Sequence, residues 1–330
     1  MMLVRYRFWL LAAAVTLILP VTLSSGTLAT EVLIYALAAL GCNLLLGYTG
    51  LLSFGQGIFF GLGSYTLGIL LTRWALPMPL AVVASIVLGA AVAAIVGSFA
   101  IRQKGTYFVM LTLACAQMFY FVAYTATDWT GGDNGLLDIP RQSLALGGKT
   151  LIPLETPWQY YTFVAVVFLI VFAGLLRVAD SVFGRTLLAI RDNEARAAAV
   201  GYHVKTFKLV AFAISGAVTA LAGALHALMT GIAPLSNIEY HSSEMILVMT
   251  VIGGTGNLFA SVLGAAFYVL AADWLSTLWP RWLLLLGLLL IAVSLFMHRG
   301  LWGVGESLWC RITGKRGGPK GKLDTQGDPT

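Results

Sequence analysis

Charged side chains are scarce in this sequence. Lys, Arg, Asp and Glu make up 10% of its 330 residues, whereas hydrophobic residues make up 59%. Soluble domains carry roughly 25% charged residues, so a chain with so few cannot cover a globule with polar surface. The scarcity excludes a soluble enzyme, and the apolar content excludes a disordered chain. The composition fits a helical membrane protein with several spans.

Groups that could form a catalytic or metal site are also few. Three cysteines in 330 residues exclude a secreted disulfide scaffold. None of the four histidines lies at metal-ligand spacing from another ligand. Gly147-Gly148-Lys149-Thr150 resembles the end of a phosphate-binding loop, but Ser143 stands where that loop requires glycine. The sequence therefore predicts a non-catalytic chain that binds no metal or cofactor and hydrolyses no ATP by itself.

Carboxylates are nearly absent from the apolar stretches. Asp273 lies near the end of one stretch, and Glu31, Glu239 and Glu244 lie at borders. A carrier driven by protons or sodium usually needs buried carboxylates. Their scarcity indicates that the driving force comes from elsewhere, and that the path carries a solute without strong charge or holds it only transiently.

Long charge-free runs are the most prominent feature that the sequence does have. They are Phe8–Thr30, Val32–Thr72, Trp74–Ile101, Gly105–Thr127, Thr156–Leu176, Leu209–Ile238, Met245–Ala272 and Trp282–His298. Two of them are interrupted by glycines, at residues 47–50 and 253–257. Since a span needs about 20 apolar residues, the sequence predicts an all-α protein with about ten transmembrane helices, or eight and two re-entrant elements. No Ala-x-Ala cleavage site follows the apolar part of the first run, which is interpreted as an uncleaved span.

Positive residues predict the orientation. If ten spans alternate from a cytoplasmic N-terminus, 16 Lys and Arg residues fall on the cytoplasmic side and four on the outer side, namely Arg73, Arg141, Lys149 and Arg281. Lys and Arg favour the cytoplasmic side, so both termini are predicted to be cytoplasmic. The net charge of +6 is then explained by this orientation and by contact with anionic lipid or protein.

The chain divides into a transmembrane domain, residues 1–303, and a basic tail, residues 304–330, that is predicted to be disordered. An outer loop covers residues 126–159, where the glycines of residues 131–135 indicate tight turns. A cytoplasmic segment covers residues 177–208. Good helix formers run from Arg185 to Val200, and Gly201 stands at the position of a C-terminal cap. This amphipathic helix could lie on the membrane, dock in a partner's groove or simply be solvated.

Glycines crowd the second and third spans, with a few polar residues among them. Glycine lets helices pack closely, or lets a helix break at membrane depth where it lines a cavity, and both interpretations are open. Two glycine-interrupted segments in separate halves are typical of a transport path. The candidate path residues are Asn43, Gly50, Ser53, Gln56, Gly57, Gly254, Thr255 and Gly256.

Several motifs, in the same order, resemble those of branched-chain amino acid ABC importer permeases of the LivM type. Residues 47–57, Gly-Tyr-Thr-Gly-Leu-Leu-Ser-Phe-Gly-Gln-Gly, resemble the family's GxxGxLSxGxG signature, and residues 130–136 look like its TGGxxGL loop. Residues 104–113, 184–202 and 208–225 are similar to further family segments. The resemblance covers about residues 30–303.

The resemblance implies a subunit of a type II ABC importer in the bacterial inner membrane. Its expected partners are a LivH-type permease, two cytoplasmic ATPase subunits that bind ATP and Mg, a periplasmic binding protein and membrane lipid. The cytoplasmic segment would be the ATPase-coupling helix, with Arg185, Ile190, Arg191, Asp192, Asn193, Glu194, Arg196 and Gly201 as coupling residues.

The substrate is left open at this stage. Asp133-Asn134 occupies a position of the outer loop where related urea-importer permeases often have two asparagines. Branched-chain or similar amino acids, urea and short-chain amides are therefore alternatives. A stand-alone channel or facilitator is a further alternative, and dependence on an ATPase would separate it from an importer.

Overall fold

The computed structural model describes residues 16, 19–20, 23, 25–140, 144–146, 149–152, 156–296 and 300–303. Helices dominate these residues. Their bounds are α1 Gly26–Thr49, α2 Gln56–Thr72, α3 Met78–Ala100, α4 Thr106–Thr125, α5 Thr127–Thr130, α6 Pro157–Asp180, α7 Val182–Asp192, α8 Glu194–Ala199, α9 Val204–Thr230, α10 Tyr240–Gly253, α11 Leu258–Leu278 and α12 Trp282–Phe296. The predicted tail, residues 304–330, and most of the first predicted span lie outside the described residues.

Six of these helices are long and apolar enough to cross a membrane, namely α1, α3, α4, α6, α9 and α11. The ten predicted spans are therefore not confirmed. The two glycine breaks account for part of the difference, because each leaves one short helix. At 1.5 Å per residue, α2 and α10 are only about 25 and 21 Å long, less than the roughly 30 Å hydrocarbon core.

Helix α1 forms the centre of the bundle. Its most apolar window is 83% buried, whereas the window of α4 is only 22% buried. A helix that is apolar on every side belongs inside protein or membrane, and here α1 is surrounded by α6, α9, α10 and α11. The exposed faces of α3, α4 and α6 are left to contact lipid or another subunit.

Glycines allow α2 to pack directly on α9. A Cβ placed on Gly63 would lie 2.0 Å from the carbonyl oxygen of Ala220, and one on Gly223 would lie 1.8 Å from that of Phe60. Only a residue without Cβ permits this approach. The close-packing interpretation of the glycine-rich helices therefore holds at these positions.

Both predicted breaks are confirmed as helix interruptions. Helix α1 ends at Thr49 because Gly50 adopts the left-handed conformation, with φ of 73°. Residues 51–55 then run without helical structure to the start of α2. The second break has positive φ at Gly254 and Gly256, and the side chain of Asn257 accepts a hydrogen bond from Phe259 N to start α11.

The outer loop contains the one clear departure from an all-α fold within the described residues. Strands β1 (Leu144–Leu146) and β2 (Lys149–Ile152) form an antiparallel pair. The predicted tight turns are confirmed, because Gly131, Gly132 and Gly135 all have positive φ. The loop is held against the bundle where Leu136 pairs with Ala233.

Basic segments gather at one end of the bundle, which we call the basic end. It contains the turn between α3 and α4, the segment α7–α8 and the second break. The opposite end contains the outer loop, where Arg73 donates a hydrogen bond to the carbonyl of Asp128 and lies over the ring of Trp129. This separation agrees with the charge asymmetry of the sequence.

Candidate functional site

The cytoplasmic segment folds as two helices rather than one. The side chain of Ser181 caps α7 by accepting from Gly184 N at 3.3 Å, and the side chain of Asn193 caps α8 by accepting from Arg196 N at 2.9 Å. Asn193 itself is extended, with φ of −158°. The single helix from Arg185 to Val200 was therefore a wrong prediction, because the N-cap preference of Asn193 interrupts a run of helix formers.

Gly201 ends the segment as the sequence predicts. Its φ is 98°, and its amide donates to the carbonyl of Ala198 at 3.0 Å. The amide of Tyr202 donates to the carbonyl of Ala197 at 3.2 Å. These two bonds form a Schellman motif, which satisfies the last carbonyls of α8 and turns the chain towards α9.

The predicted coupling residues divide between two faces of α7–α8. Ile190 is buried and packs with Ala197 and Val204 in a small apolar cluster. Of the other predicted coupling residues, Glu194 is half-buried and the rest are exposed. The exposed residues that carry a charge are Arg185, Arg191, Asp192 and Arg196. The exposed side offers a mixed-charge surface, and the buried side attaches the segment to the bundle.

Glu194 forms an ionic link between α8 and the membrane helices. Its carboxylate lies 3.0 Å from Nζ of Lys208 on α9 and 3.7 Å from Nζ of Lys104 before α4. Partial burial alone would raise the pKa of Glu194, but the hydrogen bond and charge of Lys208, then the charge of Lys104, outweigh burial and lower that pKa. Lys208 is a buried cation, with its side chain only 9% exposed. Neither lysine was predicted as a partner of Glu194, because the contacts are not at helical spacing.

Arg191 joins the same segment to both helix breaks. Its Nη1 donates a hydrogen bond to the carbonyl of Gly47. A Cβ placed on Gly50 would lie 3.0 Å from Arg191 Cγ, and one on Gly256 would lie 3.5 Å from Nη1. The predicted coupling residue Arg191 and the predicted path residues Gly50 and Gly256 are thus brought together at the basic end.

Asn43 fastens the second break to α1. Its Nδ2 donates to the carbonyl of Asn257 at 2.8 Å and to Oγ of Ser261 at 2.6 Å. Its Oδ1 accepts from the amide of Gly256 at 3.1 Å. The carboxamide is fully buried and fully bonded, so it fixes the position of the turn between α10 and α11.

Gln56 has the corresponding role at the first break. Its Nε2 donates to Ser215 Oγ at 3.1 Å, and its Oε1 accepts from Thr219 Oγ1 at 2.8 Å. The next amide, that of Gly57, donates to Ser243 Oγ at 2.7 Å. Since Ser215 and Thr219 lie in the middle of α9, helix α2 starts deep in the bundle, and residues 51–55 lead into the bundle from the end of α1.

The remaining path candidates occupy the two break segments. Ser53 is buried and accepts a hydrogen bond from the amide of Gly55 at 3.1 Å. In the second break Gly254 is buried and Thr255 is exposed. In this conformation Asn43, Ser53 and Gln56 hold protein groups in place.

Two of the scarce carboxylates lie beside a cavity at the opposite end. This cavity of about 240 Å³ is bordered by α1, α10, α11 and α12. Glu31, Asp273, Tyr35 and Tyr268 are among its lining residues. Glu31 is part of α1 rather than a residue between two spans, so the interpretation of Glu31 as a border group is corrected. Within the described residues, no three His, Cys, Asp or Glu side chains converge as a metal site.

This geometry first defines a class of protein, a multi-pass helical membrane protein. Two of its segments are interrupted helices, and a polar helix pair is fastened at its basic end. The chain belongs to the family described as branched-chain amino acid transport system / permease component, whose model matches residues 25–294. The resemblance that the sequence motifs indicated is thereby confirmed.

Curated relatives are named as permease proteins of three different transport systems. The chain is 28% identical over 319 residues to the high-affinity branched-chain amino acid transport system permease protein LivM of Escherichia coli, covering 90% of this chain and 75% of LivM. It is 27% identical over 306 residues to the autoinducer 2 import system permease protein LsrC of Escherichia coli, covering 88% and 86% of the two chains. It is 32% identical over 177 residues to the L-arabinose transport system permease protein AraH of the same species, covering 53% and 50%. No solved structure matches the chain.

Proposed function

We propose that this chain is the membrane subunit of an ATP-driven importer that takes up branched-chain or similar amino acids. It would form the path together with a second permease of the LivH type. Two ATPase subunits would bind ATP and Mg and supply the energy, and a periplasmic binding protein would deliver the solute. The chain itself would bind no cofactor and would lie in the inner membrane with both termini in the cytoplasm.

One observation carries this proposal: the α7–α8 segment is attached to the transmembrane helices at the points where those helices are broken. Arg191 contacts both breaks, and Glu194 holds α8 on α9 through Lys208. A solvated linker would need no such attachment. A segment that receives force from an ATPase does need it, because a push is transmitted only through rigid contacts.

The mechanism follows from the two faces of the segment. The exposed side chains of Arg185, Asp192, Asn193 and Arg196 would contact the ATPase groove. Closure of the ATPases would displace α7–α8, and Arg191 would carry this displacement to Gly47 and the second break. Interrupted helices can change direction at a few backbone dihedrals, so the breaks are suited to open the path alternately to the two sides. This displacement would also move the path candidates in the breaks, which are Gly50, Ser53, Gln56, Gly57, Gly254, Thr255 and Gly256.

The substrate assignment depends on the relatives. LivM aligns with 90% of this chain, whereas AraH aligns with 53%, which favours an amino acid over a sugar. Urea or a short-chain amide is the alternative for the same architecture. A stand-alone channel is the alternative that would leave α7–α8 without a role.

Uptake into membrane vesicles tests the proposal. The vesicles contain this chain, its candidate second permease, ATPases and binding protein, and labelled leucine, urea and L-arabinose are compared with and without ATP. ATP-dependent leucine uptake supports the proposal. ATP-dependent uptake of urea or arabinose keeps the importer and changes the substrate.

The matched control contains this chain alone. Flux through the chain alone without ATP contradicts the importer assignment and leaves a facilitator. A Walker-motif variant of the partner ATPase provides a second control, because it should abolish uptake while the complex still assembles.

A further inference from the structure

The cavity opposite the basic end combines two acidic side chains with no cation. Glu31 is half-buried and Asp273 is exposed, and both line the cavity. The two carboxylates lie within electrostatic reach of each other. No Lys, Arg or His is among the described residues that line the cavity, and the ion pairs of the described chain include neither carboxylate. Carboxylates in a membrane helix are costly unless they are paired, so this pair favours a cationic ligand.

A buried hydroxyl in the same cavity is an independent sign of a ligand. Tyr268 lines the cavity and is only 6% exposed. Its hydroxyl forms no hydrogen bond within the described part of the chain. Buried polar groups almost always have a partner. A polar group of a ligand in the cavity would be such a partner for Tyr268.

Both carboxylates lie close to the ends of their helices. Glu31 is five residues after the start of α1, and Asp273 is five residues before the end of α11, which places each about 7.5 Å inside the helix end. Near Asp273, Trp274 and Trp279 are exposed, as is typical of the aromatic belt at a membrane interface. The cavity therefore lies at the depth where lipid headgroups meet the hydrocarbon core.

The neighbouring surface of α12 is apolar. Trp282, the first residue of this helix, lines the cavity. Leu284, Leu288 and Ile291 are exposed and recur every three or four residues, so they lie on one face of the helix. This face suits contact with acyl chains, so a lipid is a natural source for the ligand of the cavity.

We propose that this cavity binds the headgroup of a phospholipid that carries a primary ammonium, as in phosphatidylethanolamine. Glu31, Asp273 and the hydroxyl of Tyr268 would accept hydrogen bonds from the ammonium, which has three N–H donors. The aromatic residues that line the cavity attract any cation. A quaternary ammonium, as in phosphatidylcholine, has no N–H to donate to the carboxylates. The site should therefore distinguish these two headgroups.

The size and lining of the cavity favour an organic ammonium over a metal ion. Its volume is about 240 Å³, and Met245, Met249 and Val269 contribute apolar walls. Divalent cations such as calcium prefer six or more oxygen ligands. The ethanolamine headgroup carries its ammonium on a short hydrocarbon linker, so it matches a cavity with both acceptors and apolar walls.

The lipid selectivity of the purified complex tests the proposal. The full-length chain with its candidate partners is titrated in detergent with phosphatidylethanolamine or with phosphatidylcholine of the same acyl chains, and bound lipid is counted by native mass spectrometry. The double variant Glu31→Gln, Asp273→Asn removes both charges with little change of shape. The matched control is Asp138→Asn, Glu239→Gln, which removes two exposed carboxylates that do not line the cavity.

We expect the wild type and the control to bind phosphatidylethanolamine about tenfold more tightly than phosphatidylcholine, as expected for a hydrogen bond to a charged group. The double variant at Glu31 and Asp273 should bind the two lipids equally. Equal binding by the wild type overturns the proposal, because the carboxylates then hold no ammonium. A preference that persists in this double variant also overturns it, and so does a preference that the control variant loses. None of these outcomes depends on which solute the complex imports.

Tyr268→Phe keeps the ring and removes only the hydroxyl, so it provides a test even if the double variant does not assemble. The preference for phosphatidylethanolamine should fall about threefold, the lower range for one hydrogen bond. An unchanged preference contradicts the assignment of this cavity. Free ethanolamine separates a lipid from a soluble amine. Displacement of the lipid by an equal concentration of ethanolamine overturns the lipid assignment, whereas a requirement for a large excess supports it.

Discussion

Glu194→Gln should loosen the cytoplasmic segment from the bundle. The substitution removes one charge from a carboxylate that lies 3.0 Å from Nζ of Lys208 and leaves a nearly isosteric side chain. Lys208 has an almost fully buried side chain, so its ammonium would lose the counter-charge that offsets its dehydration. The expected result is a less stable attachment of α8 without a steric change.

The magnitude follows from the distance and the burial. Two unit charges 3 Å apart attract by about 5.5 kcal/mol at an effective dielectric constant of about 20. Dehydration of Lys208 offsets much of this attraction. Because Glu194 is 33% exposed, solvent screens the pair further. The net loss in the free energy of unfolding should be about 1–2 kcal/mol, between the values typical of surface and buried pairs.

The assay is thermal unfolding of the purified complex in lipid nanodiscs, followed by tryptophan fluorescence. Lys104→Gln is the matched control: Lys104 is 77% exposed and its Nζ lies 3.7 Å from Glu194, so its loss should be within about 0.5 kcal/mol. Adding Lys208→Met to Glu194→Gln should restore part of the stability, since no unpaired buried charge remains. Equal losses in Glu194→Gln and Lys104→Gln, or no rescue by the double variant, would refute the reasoning.

Three further predictions follow from the same contacts. The folded-state pKa of Glu194 is lowered. The contribution of Glu194 to stability is therefore present above its ordinary pKa of about 4.3 and is lost as the pH falls through the lowered pKa. An unfolding series from pH 7 to pH 3 should show this loss in the wild type and not in Glu194→Gln. Arg191→Gln should keep ATP hydrolysis but lower leucine uptake per ATP about tenfold, as expected from a charged hydrogen bond of about 1.5 kcal/mol. Arg102→Gln, which removes an exposed charge outside α7–α8, should leave uptake per ATP unchanged. Gly223→Ala should destabilise the complex by about 3 kcal/mol or more through overpacking, while Gly174→Ala, whose added Cβ meets nothing within 4 Å, should leave the melting temperature unchanged.

The helix breaks were predictable because glycine acts locally. Gly50 and Gly254 interrupt their helices through their own backbone conformations, and this preference is visible in the residue type. The cap at Gly201 was predictable for the same reason. The family could also be recognised, because its motifs follow one another in order along the chain.

Long-range contacts were not predictable from one sequence. Nothing local indicates that Glu194 pairs with Lys104, 90 positions earlier, or that Arg191 reaches Gly47. The uncovered face of α4 is equally invisible in the sequence, because this helix is apolar on most sides and periodicity does not specify which face stays exposed.

Two local signals in the sequence favour the observed structure over the expected one. Asn193 is a strong N-cap residue, and it could have indicated two helices instead of one. Gly147-Gly148 stands between two short apolar runs, a typical hairpin pattern. This pattern favours the hairpin of β1 and β2 over the end of a phosphate-binding loop.

The burial of α1 on every side has a consequence for biogenesis. Asn43 obtains its partners from Asn257 and Ser261, and Asn257 lies 214 residues later in the chain. At about 5–20 residues per second, synthesis reaches those partners about 10–40 s after α1 has left the ribosome. During that interval the carboxamide sits in an inserted helix without its native partners. The innermost helix of the finished protein is therefore the one that the insertion machinery must shelter longest.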